Sequence, residues 1–221
     1  MRISRETIKE IEGMAKKYFQ GASGCHDWTH VERVRNVALH IARKEGADRG
    51  IVEVAALLHD IGRKEEMKSR GAICHAEEGA ILSRKILNKL RFDEETIEAV
   101  AHCVLAHRYR NEHIPQTVEA KSIFDADKLD SIGAVGVARD FLFAGHPGLG
   151  NLYTGNEKKL AATGKDYSYT EEDSAVLEYE VKLKHIREKM LTRTGKAIAK
   201  ERHLFMKQFF DRFWREVQGT V

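Results

Sequence analysis

Apolar residues recur at three- and four-residue spacing along nearly the whole chain, and strand-length runs of alternating apolar and polar residues are hard to find. Each segment therefore has one stripe to bury against a neighbour, a pattern that dictates an all-α architecture of packed helices. Only 2 prolines occur in 221 residues, so little interrupts a helix. A chain of this length with 42% hydrophobic and 32% charged residues can bury one substantial core, and a single domain over residues 1–221 is the expectation.

The 37 basic residues nearly balance the 34 acidic ones, leaving a formal charge of +3. That is a mixed surface and not a polycationic arm, so no polymeric nucleic acid is expected as partner. No stretch approaches the roughly 20 apolar residues of a membrane helix, and the N-terminus lacks the apolar run of a signal peptide; the cytoplasm is the expected location. The 3 cysteines make no disulfide framework. Each neighbours a histidine (Cys25-His26, Cys74-His75, His102-Cys103), but adjacent helical residues point about 100° apart and do not readily chelate one ion.

The first helix has Ser4 as N-cap and Ile8, Ile11, Ala15 and Phe19 on one face, ending before Gly21-Ala22-Ser23-Gly24. A second starts at N-cap Asp27, carries His30 in its first turn and stops near Gly46. The third follows Asp48 with Ile51, Val54, Ala55 and Leu58 inward, with Gly62 as its stop. After the charged loop RKEEMKSRGAIC, a fourth runs from about His75 to Leu90, and a fifth, capped by Asp93, carries His102 and leads to His107.

The segment Val118 to Ala144 is apolar with acids at Asp125, Asp127 and Asp130. Residues 145–170 carry many glycines and few apolar anchors, a composition that reads as a functional or mobile loop able to close over a ligand. Thr170 with Asp173 makes a capping-box-like start for a long helix through Val176, Leu183, Ile186 and Met190. A last helix carries Ile198, Phe205, Phe209, Phe213 and Trp214, an aromatic stripe that reads as core or homodimer contact rather than a cofactor site.

The chemistry gathers in the doublet His59-Asp60, with His30 upstream and Asp127 downstream. Alone, the doublet is ambiguous: a histidine ending a helix can complement its dipole, and the aspartate can be solvated. If the four converge, they form a mixed nitrogen and oxygen shell of net charge −2, suited to manganese, iron, cobalt, nickel or zinc rather than calcium. Four protein ligands on an octahedral ion leave two positions for water and a substrate oxygen, the arrangement for Lewis-acid catalysis.

Four local motifs surround these positions: CHDWTHVERV, AALLHDIGR, ICHAEEGA and SIFDADKLDSIGAVGVAR. Over about residues 20–145 they resemble the HD-domain superfamily of metal-dependent phosphohydrolases, in its small stand-alone bacterial and archaeal form. The resemblance implies a helical HD bundle as core, extended by the loop 145–170 and C-terminal helices to about residue 218. It makes His30, His59, Asp60 and Asp127 the ligands of a divalent transition metal. Asp127 is preferred to Asp125 and Asp130 because it holds the family's aspartate position before a basic residue and leucine.

Around this set, Asp125 and Asp130 are candidates to orient a ligand imidazole, Asp130 equally a surface acid. His75, His102 and His107 are candidates for a second ion or for protonating a leaving group. His102 and His107 are five apart and point in different directions on a regular helix. Cys103, on the face of His107, leaves a soft ligand open. Charge building on phosphate needs cations: Arg63, at the place of a phosphate-contacting lysine in some HD proteins, then Arg33 and Lys64, and more weakly Lys128 and Arg139. His26, His40, His113, His146, His185 and His203 read as structural or surface, though His26 is close enough to His30 to line the cleft.

Arg63 stands where HD nucleoside monophosphatases carry glutamate, which lowers that activity, and no synthetase domain or GYP motif is present. The expectation is a metal-dependent hydrolase of a nucleotide phosphate ester or anhydride, nucleoside triphosphates first. Cyclic-nucleotide or other phosphodiester cleavage comes second. A nucleotide-binding sensor with a structural metal is the alternative of another class.

Overall fold

The computed structural model describes residues 3–21, 26–108, 113–145, 151–165, 167 and 170–221. The expectations placed on Ala22 to Cys25, His146 and the tip of the glycine-rich stretch lie outside these residues. The described residues hold eleven α-helices and no strand. In chain order these are α1 (Arg5–Lys16), α2 (Trp28–Glu45), α3 (Arg49–Leu58), α4 (Arg63–Lys68), α5 (His75–Lys89), α6 (Glu94–Ala106), α7 (Val118–Leu129), α8 (Gly133–Ala144), α9 (Glu157–Ala161), α10 (Ala175–Val181) and α11 (Arg193–Val217). None is long and apolar enough to cross a membrane.

Four helix starts follow directly from local chemistry. Ser4, Asp27, Asp48 and Asp93 hold extended backbone and accept first-turn N–H groups that have no partner within the helix. Gly46 closes α2 in the left-handed conformation, at φ 76°.

The chain groups into two compact units, Met1–Asp127 with Leu191–Gly195, and Lys128–Met190 with Lys196–Val221. In the first, α3 packs against α1, α2 and α6, and α5 packs against α6 and α4. Six of the ten residues of α3 are buried, namely Val52, Val54, Ala55, Ala56, Leu57 and Leu58. A helix apolar around most of its circumference can only sit inside a bundle, and each fully buried leucine stabilises that position by about 1.5–3 kcal/mol. The end of α3 is thereby carried into the interior.

Asp125, on α7, serves this unit and not an imidazole. Its Oδ1 accepts Leu191 N–H at 2.8 Å, and its Oδ2 accepts Thr192 N–H at 2.8 Å and Thr192 Oγ1–H at 2.6 Å. Within the second unit α10 packs against α8 and α9, Met206 and Phe210 of α11 are buried, and Asp130 accepts Arg139 Nη1–H at 2.8 Å.

Several elements depart from the expected ones. The charged stretch after the doublet contains α4, and Gly62 is its N-cap; α3 ends at Leu58 with His59 as C-cap. The helix expected from Thr170 starts after Ser174, whose Oγ accepts Leu177 N–H, while the Thr170 hydroxyl donates to the Tyr167 carbonyl. It ends at Val181 because Lys182 leaves helical geometry at φ −135°, and a 3-10 segment continues over Leu183–Lys189. Residues 145–170 are not all loop: they include α9, and Asn151 pairs with Ser174 in an isolated bridge. On α11, Phe205 is exposed and Phe210 holds the buried position instead.

Asp125→Ala strands the Leu191 N–H and the buried Thr192 donors, so it costs about 2–4 kcal/mol of unfolding free energy in urea titrations. A loss below about 1 kcal/mol would contradict the structural role given to this carboxylate.

Candidate metal centre

Three elements deliver the expected ligands. His30 lies in the first turn of α2, fixed by Asp27, which accepts both Thr29 and His30 N–H groups. His59 and Asp60 follow α3 directly, and Asp127 comes from α7. The turn after Asp60 presses closely on α5: a Cβ at Gly62 would meet the His75 carbonyl oxygen at 2.3 Å and Gly79 N at 2.8 Å. Only glycine permits that approach, and it brings His75 beside Asp60.

The structure gathers these residues into groups whose ligand atoms all lie within 4.8 Å of one another: His30, His59 and Asp127; His26, His30 and Asp60; and Asp60, His75 and His107. Asp60 stands between them. Its Oδ2 is 3.7 Å from His30 Nε2, 3.8 Å from His59 Nε2 and 3.6 Å from His26 Nδ1, while its Oδ1 is 3.5 Å from His75 Nε2 and 3.4 Å from His107 Nε2. His30 Nε2 is 3.4 Å from Asp127 Oδ1. His30, His59, Asp60, His75 and His107 are all buried.

Hydrogen bonding sets which imidazole atoms are bare. His59 Nδ1–H donates to the Ala56 carbonyl at 2.8 Å, and His107 Nδ1–H to the Val104 carbonyl at 2.5 Å. His75 Nδ1–H donates to Glu66 Oε2 at 2.8 Å. These acceptors carry no proton, so each imidazole in its neutral form has its lone pair on Nε2. The Nε2 atoms of His75 and His107 then face each other as acceptors at 3.2 Å, and His59 Nε2 lies 3.2 Å from His30 Nε2. Asp60 Oδ1, also facing His75 and His107, is a buried oxygen without a hydrogen-bond donor. Acceptors pointed at one another repel unless a cation lies among them, and metal–nitrogen bonds of about 2.1 Å put neighbouring ligand atoms about 3 Å apart. The spacing and the donor set therefore fit divalent metal ions.

Charge at the site points the same way. Burial alone would raise the Asp60 pKa, but the Arg63 guanidinium, the largest opposing cause, holds this carboxyl well below its usual range. Arg63 Nε donates to Asp60 Oδ2 at 2.9 Å. Burial pushes His59 and His26 down to about 4 and His75 down to about 2, so these rings are neutral at pH 7 and free to bind metal.

The other expected residues divide. Arg63 belongs to the cluster through Asp60. Arg33 Nη1 donates to Thr29 Oγ1 on its own helix, Lys64 is exposed, and Lys128 follows Asp127 on α7. His102 is in none of the metal-binding groups: its Nε2 accepts Gln116 N–H at 3.2 Å, because five residues of helix turn it away from His107. Cys103 is wholly buried, its thiol pushed up by burial, and it joins none of these groups.

His26 enters the cluster, a place signalled in the sequence only by its nearness to His30. Glu66 and Arg108, which no motif singles out, come together across 42 positions with Arg108 Nη1 donating to Glu66 Oε1 at 2.5 Å. A glutamate in a charged stretch, seven residues after His59, carries no signal of that meeting.

With metal chelated away, the folded chain keeps His59 neutral down to about pH 4, whereas the unfolded chain takes up its proton near 6.5. Stability contributed by the neutral ring is complete above pH 6.5 and lost as pH falls toward 4, by about 3 kcal/mol for this group. Urea midpoints of the chelated protein should fall with decreasing pH across this window, less steeply in His59→Asn. Equal slopes for the parent and the variant would refute the assignment.

The HD-domain family model matches residues 27–132, which include every residue of the groups above except His26. YpgQ of Bacillus subtilis is 32% identical over 218 residues, covering 96% of this chain and 94% of the relative. The crystal structure of YpgQ in complex with ADP superposes with a TM-score of 0.73 at 30% identity, over 97% of this chain and 100% of that one. An HD-superfamily hydrolase from Bacillus thuringiensis gives a TM-score of 0.71 at 28% identity, over 97% and 98% of the two chains. Ribonuclease Y of Chloroflexus aurantiacus is 37% identical over 93 residues, 42% of this chain and 16% of that protein. The chain belongs to the HD-domain family and is an HD-superfamily hydrolase.

Proposed function

We propose that this chain is a metal-dependent phosphohydrolase that cleaves a phosphate ester or anhydride of a nucleotide, nucleoside triphosphates first. One observation carries the reading: a single buried carboxylate, Asp60, faces two histidine groups with its two oxygens, and its Oδ1 lacks a donor. His30, His59, Asp127 and Asp60 Oδ2 hold one ion; Asp60 Oδ1, His75 and His107 hold a second. His75 and His107 thus serve as ligands rather than as proton carriers. Divalent ions held there supply Lewis acidity to a phosphoryl oxygen and to water.

The protein's own part is placement. Arg63 neutralises Asp60 through Nε and keeps a guanidinium charge beside the cluster, where charge builds on nonbridging oxygens. Arg33 and Lys64 are proposed as further cations for phosphate. ADP in the YpgQ complex supports a nucleotide as ligand. Phosphodiester cleavage is the second reading, favoured by the match to Ribonuclease Y.

The test is turnover of nucleoside triphosphates, cyclic nucleotides and p-nitrophenyl phosphates with manganese, nickel, cobalt, magnesium or iron. The expected result is metal-dependent release of phosphate or pyrophosphate from at least one nucleoside triphosphate. Asp60→Asn and His59→Asn should lose on the order of 100-fold or more, and His102→Ala should stay within about threefold of the parent. No turnover with any metal refutes the proposal, and tight nucleotide binding without turnover supports a sensor instead.

A further inference from the structure

Glu66 lies on α4, nine residues before His75, and its carboxylate gathers three partners from different positions. Oε2 accepts His75 Nδ1–H at 2.8 Å, Oε1 accepts Arg108 Nη1–H at 2.5 Å, and Arg63 Nη1 stands 3.6 Å from Oε2. Arg108 Nη1 also reaches Cys74 Sγ at 3.3 Å, next in sequence to His75. Arg63 therefore touches two carboxylates, Asp60 through Nε and Glu66 through Nη1.

The Nδ1 partners of the cluster are unequal. His59 and His107 donate to main-chain carbonyls, whereas His75 donates to a charged carboxylate. A charge-assisted bond of this kind locks ring rotation and makes the opposite nitrogen a stronger ligand. Two guanidinium groups, those of Arg63 and Arg108, face the same carboxylate.

We propose, resting on the two-ion reading above, that Glu66 is a positioning residue for the ion held by Asp60, His75 and His107. Through it, the Glu66–Arg108 pair sets the affinity of that half of the centre independently of the half held by His30, His59 and Asp127. Glu66 touches neither ion nor substrate; it acts through the His75 ring.

The experiment is calorimetric titration of Mn²⁺ into the chelator-stripped full chain, repeated with Co²⁺ and read by visible absorption. The variants are Glu66→Gln, Arg108→Ala and, to identify the affected ion, His75→Ala. The parent takes up two ions. Glu66→Gln keeps the side chain's size and an oxygen for Nδ1–H but loses the charge, so it should weaken one ion about 10–100-fold and leave the other within about twofold. His75→Ala should weaken the same ion. Arg108→Ala should weaken it by a smaller factor, and it decides the matter alone should Glu66→Gln fail to fold.

A merely structural Glu66 would instead lower the metal-free melting temperature with both affinities unchanged or falling together, which overturns the proposal. A parent that binds two ions and a Glu66→Gln protein that binds them equally well overturns the role of Glu66 only. A parent that binds one ion overturns the two-ion reading and this inference with it.

Discussion

A carboxylate buried in the middle of a helical bundle must be compensated, and the protein's own donors compensate Asp60 on one oxygen. Arg63 donates to one oxygen, and neutral imidazoles direct nitrogen atoms toward both. What protein groups leave unmatched is Oδ1, which has two ring nitrogens for neighbours and no donor. An ionised, unsatisfied oxygen in a low-dielectric interior is among the costlier things a fold can keep. A divalent cation removes that cost, because it converts facing acceptors from a repulsive set into a ligand shell.

The helices are arranged to make that shell. The apolar circumference of α3 buries its C-terminal end, so the doublet emerges inside the bundle rather than at its surface. The contact of Gly62 with the start of α5 then sets His75 against Asp60, and the close packing of α5 on α6 adds His107. Backbone carbonyls of Ala56 and Val104 orient two of the rings, so the helix ends supply orientation as well as position. Metal sites depend on such outer contacts nearly as much as on the ligands.

Much of this was legible in the sequence. Ser4, Asp27, Asp48 and Asp93 announce helix starts because their side chains replace missing main-chain acceptors, and each is used so. His30, His59, Asp60 and Asp127 stand out in their motifs, and the structure groups His30 with His59 and Asp127 and, separately, with Asp60 and His26. The rest depended on distance along the chain. Helical geometry separates His102 from His107, but it cannot tell which of the two turns inward. Nor does any local rule pair Glu66 with His75 and Arg108, or withdraw Asp125 to the Leu191–Thr192 turn. The Thr170 cap misled because Ser174 offers the same chemistry four residues later, in extended backbone at φ −151°.

The most direct measurement of the central claim is an anomalous-difference map from crystals grown with manganese, collected at the manganese absorption edge. Two peaks should flank Asp60, one among His30, His59 and Asp127 and the other beside His75 and His107. A map with no peak at Asp60, in crystals that contain manganese, would contradict the account.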